Sequence, residues 1–169
     1  MTKPGERSLF DDQDEPPLQQ LAAVPFEVAL SALGTIRGLG HKGLQILVGQ
    51  FGENLGAVFA MPHDDLKGLL TERKINGAIK IALAIAHSPE DLIEQGKASL
   101  AELAAKNIKL IPPSRFPERF RALGTEAPKW LFVQGDEKLL EHHPAVAVVG
   151  TRKSTEAGCR AASTVAYVL

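Results

Sequence analysis

The most informative stretch of the sequence is AVAVVGTRKSTEAG, residues 145–158. Its first five residues are apolar throughout, which is typical of a strand buried on both faces of a sheet. Gly150 and the polar residues after it predict a loop, and a helix is expected to begin at about Glu156. This order predicts an α/β domain in which the loop follows the carboxyl end of a central strand.

The loop carries groups that suit phosphate. A helix that follows a strand directs its free N–H groups toward the loop, where anions bind. Gly150 lets the backbone approach a ligand closely, and Arg152 offers a planar fork that matches phosphate oxygens. Thr151 supplies a hydroxyl group, as do Ser154 and Thr155, one of which is expected to cap the helix. The predicted nucleic-acid-binding residues are Gly150, Thr151, Arg152, Lys153, Thr155 and Gly158.

A plainer interpretation of this loop stays open on the residues alone. The segment is not G-x-G-x-x-G, and it lacks the Gly-Lys-Thr ending of a Walker motif. It would then be an ordinary strand-to-helix turn with Arg152 and Lys153 on the surface. In either case Gly158 would let the helix pack tightly on the strand.

A second glycine-rich loop, IRGLGHKG, occupies residues 36–43. Between two helices it is similar to a helix-hairpin-helix, in which backbone amides of the turn face DNA phosphate, and its cations would add attraction. The simpler interpretation is an αα-hairpin that needs glycine for its bend. The secondary candidate phosphate-binding residues are Arg37, Gly38, Gly40 and Lys42.

The rest of the chain divides near residue 105 into a helical part and the beginning of an α/β part. Phe26, Leu30 and Leu33 are spaced as on one helix face, and Ser88 with Pro89 predicts another helix start. The fold class is therefore α+β overall. The predicted segments are a disordered arm at 1–18, a helical domain at 19–106 and an incomplete α/β domain at 107–169, with strands at 108–111, 130–134 and 145–149.

Composition limits the function classes. The formal net charge is −1, so nucleic-acid binding would need a local basic patch. The only cysteine, Cys159, rules out an internal disulfide, and no signal-peptide pattern or apolar run of about 20 residues is present. These features predict a cytoplasmic protein.

Catalytic and metal chemistry have little support in the sequence. The five histidines lack metal-ligand spacing with Cys159, and no nucleophile–base–orienter set can be assembled, so neither an enzyme nor a cofactor is predicted. Cys159 is expected to be a buried thiol. Trp130 and Phe132 alternate in a strand and are expected to lie in the core.

Residues 107–158 resemble the DNA-processing protein family DprA, also called Smf. That family has a Tyr-Pro-x-x-Leu segment, a Leu-Tyr-x-x-Gly strand, the segment Val-Ala-Ile-Val-Gly-Thr-Arg and a helix-opening glycine. The helical part is similar to the family's N-terminal domain through Gly38-Leu39-Gly40 and Phe51-Gly52. The counterparts of the other segments are FPERF (116–120), PKWLFVQG (128–135), VAVVGTR (146–152) and Gly158.

The resemblance implies a SAM-like or helix-hairpin-helix-like domain followed by the opening of a Rossmann-like domain. It implies binding and protection of single-stranded DNA and loading of RecA recombinase during natural transformation. The phosphate contacts would fall to Gly150, Thr151 and Arg152. Thr155 stands at the family's Ser/Thr position and Gly158 at its helix glycine.

The chain also departs from the family. Ser154, Glu156 and Ala157 replace its usual residues, and Glu156 brings a negative charge near the proposed phosphate. The family's later segments are missing, so a truncated member that can self-associate is expected. Two other functions remain: a nucleotide phosphoribohydrolase, whose Pro-Gly-Gly-x-Gly-Thr-x-x-Glu segment is absent, and a helical interaction module that does not bind DNA.

Overall fold

The computed structural model of the protein describes residues 18–142, 144 and 146–168. The chain forms two compact units that divide between Asp136 and Glu137. Residues 1–17, most of the predicted arm, lie outside the described part. The first helix begins at Leu18, where the predicted arm ends.

The predicted helices form in the first unit, because each carries apolar residues at helical spacing. Phe26, Leu30 and Leu33 are all buried on α2, as their spacing predicts. Short 3₁₀ helices occur at Leu55–Ala60, Pro113–Arg115 and Gly124–Glu126. The α-helices are α1 (Leu18–Ala22), α2 (Phe26–Thr35), α3 (His41–Phe51), α4 (His63–Glu72), α5 (Ala78–His87), α6 (Pro89–Ala105) and α7 (Glu118–Arg121).

The core of this unit is built where α2 packs against α6. Ala32 and Leu33 of α2 are fully buried, and Gly96 of α6 lies directly against Ala32. The small residues let the two helix backbones approach closely, which brings their larger apolar neighbours into contact. The two helices thus form a tightly packed pair on which the remaining elements assemble.

The start of α6 differs in one detail from the prediction. Ser88 occupies the capping position, but its side chain makes no capping hydrogen bond. Pro89 at the first helical position removes one N–H that would need a partner, and Glu90 and Asp91 favour the positive end of the helix dipole. These three residues are sufficient to explain the helix start without a side-chain cap.

The first unit also contains a two-stranded antiparallel sheet, formed by β1 (Ile108–Ile111) and β2 (Leu131–Gln134). Leu110 pairs with Phe132, so the two side chains share one face of the sheet. Leu110 is buried in the helical core, and Trp130 packs against that core just before β2 begins. The sheet therefore packs against the helices.

The predicted strand at 145–149 is not formed at residues 146–149, while Ala145 lies outside the described part. Val146 and Val148 are exposed, and Val149 is 90% exposed. An apolar strand is stable only when neighbouring strands satisfy its backbone and helices cover its faces. The described residues offer it no such ladder, because β1 and β2 pair only with each other.

The second unit contains a short 3₁₀ helix, Glu137–Glu141, and a helix α8, Glu156–Val168. The start of α8 confirms the predicted boundary at Glu156. None of its described residues is buried, and the prediction of a buried Cys159 is wrong, because the described residues of the second unit leave this position of α8 exposed. Across the described ranges of both units, helices long and apolar enough for a membrane span are not found.

Candidate phosphate-binding loop

The loop before α8 encloses a cleft of about 440 Å³ within the second unit. Five of the six predicted nucleic-acid-binding residues line it. The sixth, Arg152, lies in the same loop and is exposed, but it does not line the cleft. The lining residues are Val148, Val149, Gly150, Thr151, Lys153, Ser154, Thr155, Gly158, Cys159 and Ala162.

Thr155 caps α8. The backbone N–H of Gly158 donates to Thr155 Oγ1 at 3.1 Å, and the N–H of Cys159 donates to the Thr155 carbonyl oxygen at 3.0 Å. Ser154 and Thr155 were the two predicted caps, and Thr155 is therefore the one that caps the helix. The first N–H groups of a helix have no partner within the helix. Thr155 Oγ1 accepts from that of Gly158, and the N–H groups of the two residues before it lie at the end of α8 that borders the cleft.

Thr151 and Gly150 shape the other side of the loop. The N–H of Lys153 donates to Thr151 Oγ1 at 3.3 Å, which closes a tight local turn. The space that a side chain would occupy at Gly150 is empty within 4 Å. A ligand can therefore approach the backbone at Gly150, as the sequence predicts.

Gly158 has a different neighbour from the predicted one. It was expected to let the helix pack on a preceding strand, but no strand forms at 146–149. A Cβ at Gly158 would instead lie 3.4 Å from Thr155 Oγ1, the capping oxygen. The small residue thus leaves room around the cap.

Charge at the loop is mostly positive. Arg152 and Lys153 are exposed, and the N-terminal end of α8 adds a partial positive charge. Glu156, the residue that departs from the family pattern, pairs with Arg160 one turn along α8, with 2.6 Å between Oε1 and Nη1. This pairing offsets part of the repulsion that a free carboxylate would exert on a phosphate.

Cys159 is a site residue that the sequence predicted to lie in the core. Its Sγ lies 3.1 Å from Ser154 Oγ, and both residues line the cleft. Their spacing of five residues across a loop–helix junction carries no recognisable signal. The contact depends on where the loop turns, which the sequence alone did not show.

Replacing Thr155 with alanine is expected to destabilise α8 by about 1 kcal/mol, because the N–H of Gly158 loses its acceptor. Amide hydrogen exchange in the first turn of α8 should become faster. Thr164→Ala is the matched control, because Thr164 Oγ1 only donates back to the Arg160 carbonyl within the helix. Equal exchange in both variants would show that Thr155 does not cap the helix.

The second candidate loop also forms a cleft, of about 170 Å³ and within the first unit. Gly38 adopts a φ of +101°, which only glycine accepts readily, and Gly40 precedes the first residue of α3. Arg37 is exposed beside the cleft and does not line it. The lining residues are Gly38, Gly40, Lys42, Gly43, Ile46, Lys74, Ile75 and Asn76.

The sequence did not predict that Lys74 and Asn76 lie at this loop. They follow α4 and meet the hairpin only in the folded chain. Lys74 has a φ of +55°, which is uncommon for a residue with a side chain. A second cation therefore joins Lys42 at the glycine hairpin.

Trp130, just before β2, and Phe132, within β2, are only partly in the core. Trp130 is half-buried, and its ring contacts the ring of His41 edge to face at a centroid distance of 5.1 Å. Phe132 is 57% exposed, so the prediction of a core position is wrong for this residue. The helices cover the sheet face at Leu110 but leave the ring of Phe132 exposed.

Over the described residues, no cluster of metal-ligating side chains occurs.

A comparison with known families found a match for part of the chain. The family model described as DNA recombination-mediator protein A matches residues 107–169, the range that contains β1, β2, the loop and α8. Neither curated proteins nor solved structures gave a significant match. The matched range contains residues 107–158, which carried the resemblance to DprA/Smf, so this segment is similar to the DNA recombination-mediator protein A family.

Proposed function

We propose that the protein binds single-stranded DNA through the loop at residues 150–158 and acts in DNA recombination or processing. The observation that carries this proposal is the cleft in front of α8. Backbone N–H groups, threonine hydroxyls and the cations Arg152 and Lys153 converge on one loop there, inside the segment that matches the family. These are the groups that proteins use for phosphate.

The chemistry of the loop suits a phosphodiester. Thr155 Oγ1 already accepts from Gly158, but its O–H can still donate to a phosphate oxygen, and so can that of Thr151. Arg152 would reach an oxygen of the same or an adjacent phosphate from outside the cleft. Such contacts go to the backbone alone, so they bind a strand without reading its bases.

The proposals for the domain types, the protein partner and the biological setting rest on the resemblance to the family. We propose that residues 107–169 are the opening of a Rossmann-like domain and that the helices before them form a SAM-like or helix-hairpin-helix-like domain. RecA recombinase would be the protein partner, and the biological setting would be natural transformation. We propose that the protein acts by binding and without catalysis, because its loop offers ligands for phosphate and no acid–base pair.

A salt titration tests the proposal. The chain should bind single-stranded oligonucleotides of different sequence with similar affinity, and log affinity should fall with log salt by about 0.7 for each phosphate neutralised. Fluorescence anisotropy of a labelled strand measures both quantities. Absence of binding at low salt, or an affinity that does not change with salt, would contradict it. Release of free base from a nucleoside monophosphate would instead favour the alternative function, a nucleotide phosphoribohydrolase.

A further inference from the structure

A third cleft, of about 400 Å³, lies in the first unit between the sheet and the helices α2, α3 and α6. Three rings line it: those of Trp130, Phe132 and His41. Hydroxyl groups of Ser31, Thr35 and Ser99 also line it, and the floor is aliphatic. The aliphatic lining residues are Leu30, Leu39, Leu44, Leu103 and Leu110.

This aromatic cleft adjoins the basic cleft at the glycine hairpin. Gly40 lines both of them, so they meet at the backbone that precedes α3. Lys42 and Lys74 lie on the basic side, while His41 lies on the aromatic side. Neither set of lining residues contains a carboxylate. The two clefts together therefore match a ligand that is flat at one end and negatively charged at the other.

We propose that the aromatic cleft holds an unpaired base of single-stranded DNA, with the neighbouring phosphate at Lys42 and Lys74. The proposal rests on the proposed function and adds a site that is separate in sequence from residues 150–158. Bases stack on exposed aromatic rings regardless of their identity, and lysines along the path hold the backbone. The 57% exposure of Phe132 leaves its ring accessible to such a base.

A folded protein partner is a poorer match to the same surface. An apolar groove for a peptide helix needs aliphatic anchors along its length, whereas this cleft is lined by three rings and adjoins a cleft that contains Lys42 and Lys74. The hydroxyls of Ser31 and Ser99 can exchange hydrogen bonds with the edges of a base, while the hydroxyl of Thr35, which donates to the Ala32 carbonyl oxygen, can accept one. Charge complementarity therefore favours nucleic acid over an apolar peptide.

The single tryptophan of the chain makes the test direct. Trp130 is the only source of indole fluorescence, and it lines the cleft. The probes are an oligothymidylate and a strand with the same number of phosphates but abasic sugars. The full chain should show quenching of Trp130 with the oligothymidylate and none with the abasic strand, which should also bind about fivefold more weakly.

Substitutions at Phe132 identify the platform. Phe132→Ala should lower affinity for the oligothymidylate about fivefold without changing affinity for the abasic strand, and Phe132→Tyr should restore binding. Leu83→Ala is the matched control, because Leu83 is 52% exposed on α5 and does not line the cleft. The fluorescence of the parent chain gives an answer even where a variant folds poorly.

The outcomes separate this site from the loop before α8. Binding that depends on Arg152, with unchanged Trp130 fluorescence and equal affinity for both strands, would overturn the aromatic cleft and leave the proposed function standing. Quenching by the oligothymidylate alone, with no effect of Arg152→Ala, would support the cleft and remove the loop. If neither strand binds at low salt, both proposals are overturned.

Discussion

Replacing Arg152 with alanine is expected to weaken binding of single-stranded DNA by more than about tenfold, since a hydrogen-bonded charge pair contributes roughly 1.5–3 kcal/mol. Arg152 is exposed in the loop and, within the described ranges, has no hydrogen-bond or ion-pair partner that would have to be broken first. The slope of log affinity against log salt should also become smaller by about 0.7 for each phosphate that the variant no longer neutralises. Anisotropy titrations at several salt concentrations measure both effects.

Two controls separate the geometry of Arg152 from its charge. Arg152→Lys keeps the charge but loses the planar fork, so it should recover the salt slope and only part of the affinity. Lys80→Ala removes one positive charge from the exposed face of α5, away from the loop in sequence, and should have little effect. Equal affinity of Arg152→Ala and the parent chain across the titration would remove Arg152 from the site.

Local patterns predicted the helices well. The spacing of Phe26, Leu30 and Leu33 marks the buried face of α2, and the boundary at Glu156 follows from the polar loop before it. Such signals lie within a few residues of the helix that they predict. Tertiary packing of these helices therefore reinforces the local pattern and does not change it. The same reason explains why Thr155, one turn from Gly158, was among the two predicted caps.

Features that depend on distant residues could not be predicted in this way. The apolar run at 146–149 has the composition of a buried strand, but a strand needs partners that composition does not guarantee. Lys74 reaches the glycine hairpin only through the packing of the helices. Phe132 alternates correctly for a core position, yet the helices stop short of its ring.

Gly96→Leu is expected to destabilise the first unit by about 3 kcal/mol, the upper end of the usual cost of overpacking. A Cβ at Gly96 would lie 2.7 Å from the carbonyl oxygen of Val28 and 2.8 Å from both the Cβ and the backbone nitrogen of Ala32. Backbone atoms cannot move aside as a flexible side chain can, so α2 and α6 would have to separate. Chemical denaturation followed by far-UV circular dichroism measures the loss of stability.

Gly68→Ala is the matched control, because it also replaces a helical glycine but has open space around the new Cβ. It should stabilise α4 by about 0.5–1 kcal/mol, since alanine loses less conformational entropy in a helix than glycine does. Opposite signs for the two variants would locate the cost of Gly96→Leu in the contact between α2 and α6. Both helices also line the aromatic cleft, so Gly96→Leu should reduce the quenching of Trp130 by oligothymidylate, while Gly68→Ala should not. An unchanged denaturation midpoint for Gly96→Leu would mean that the two helices are not packed as closely as described.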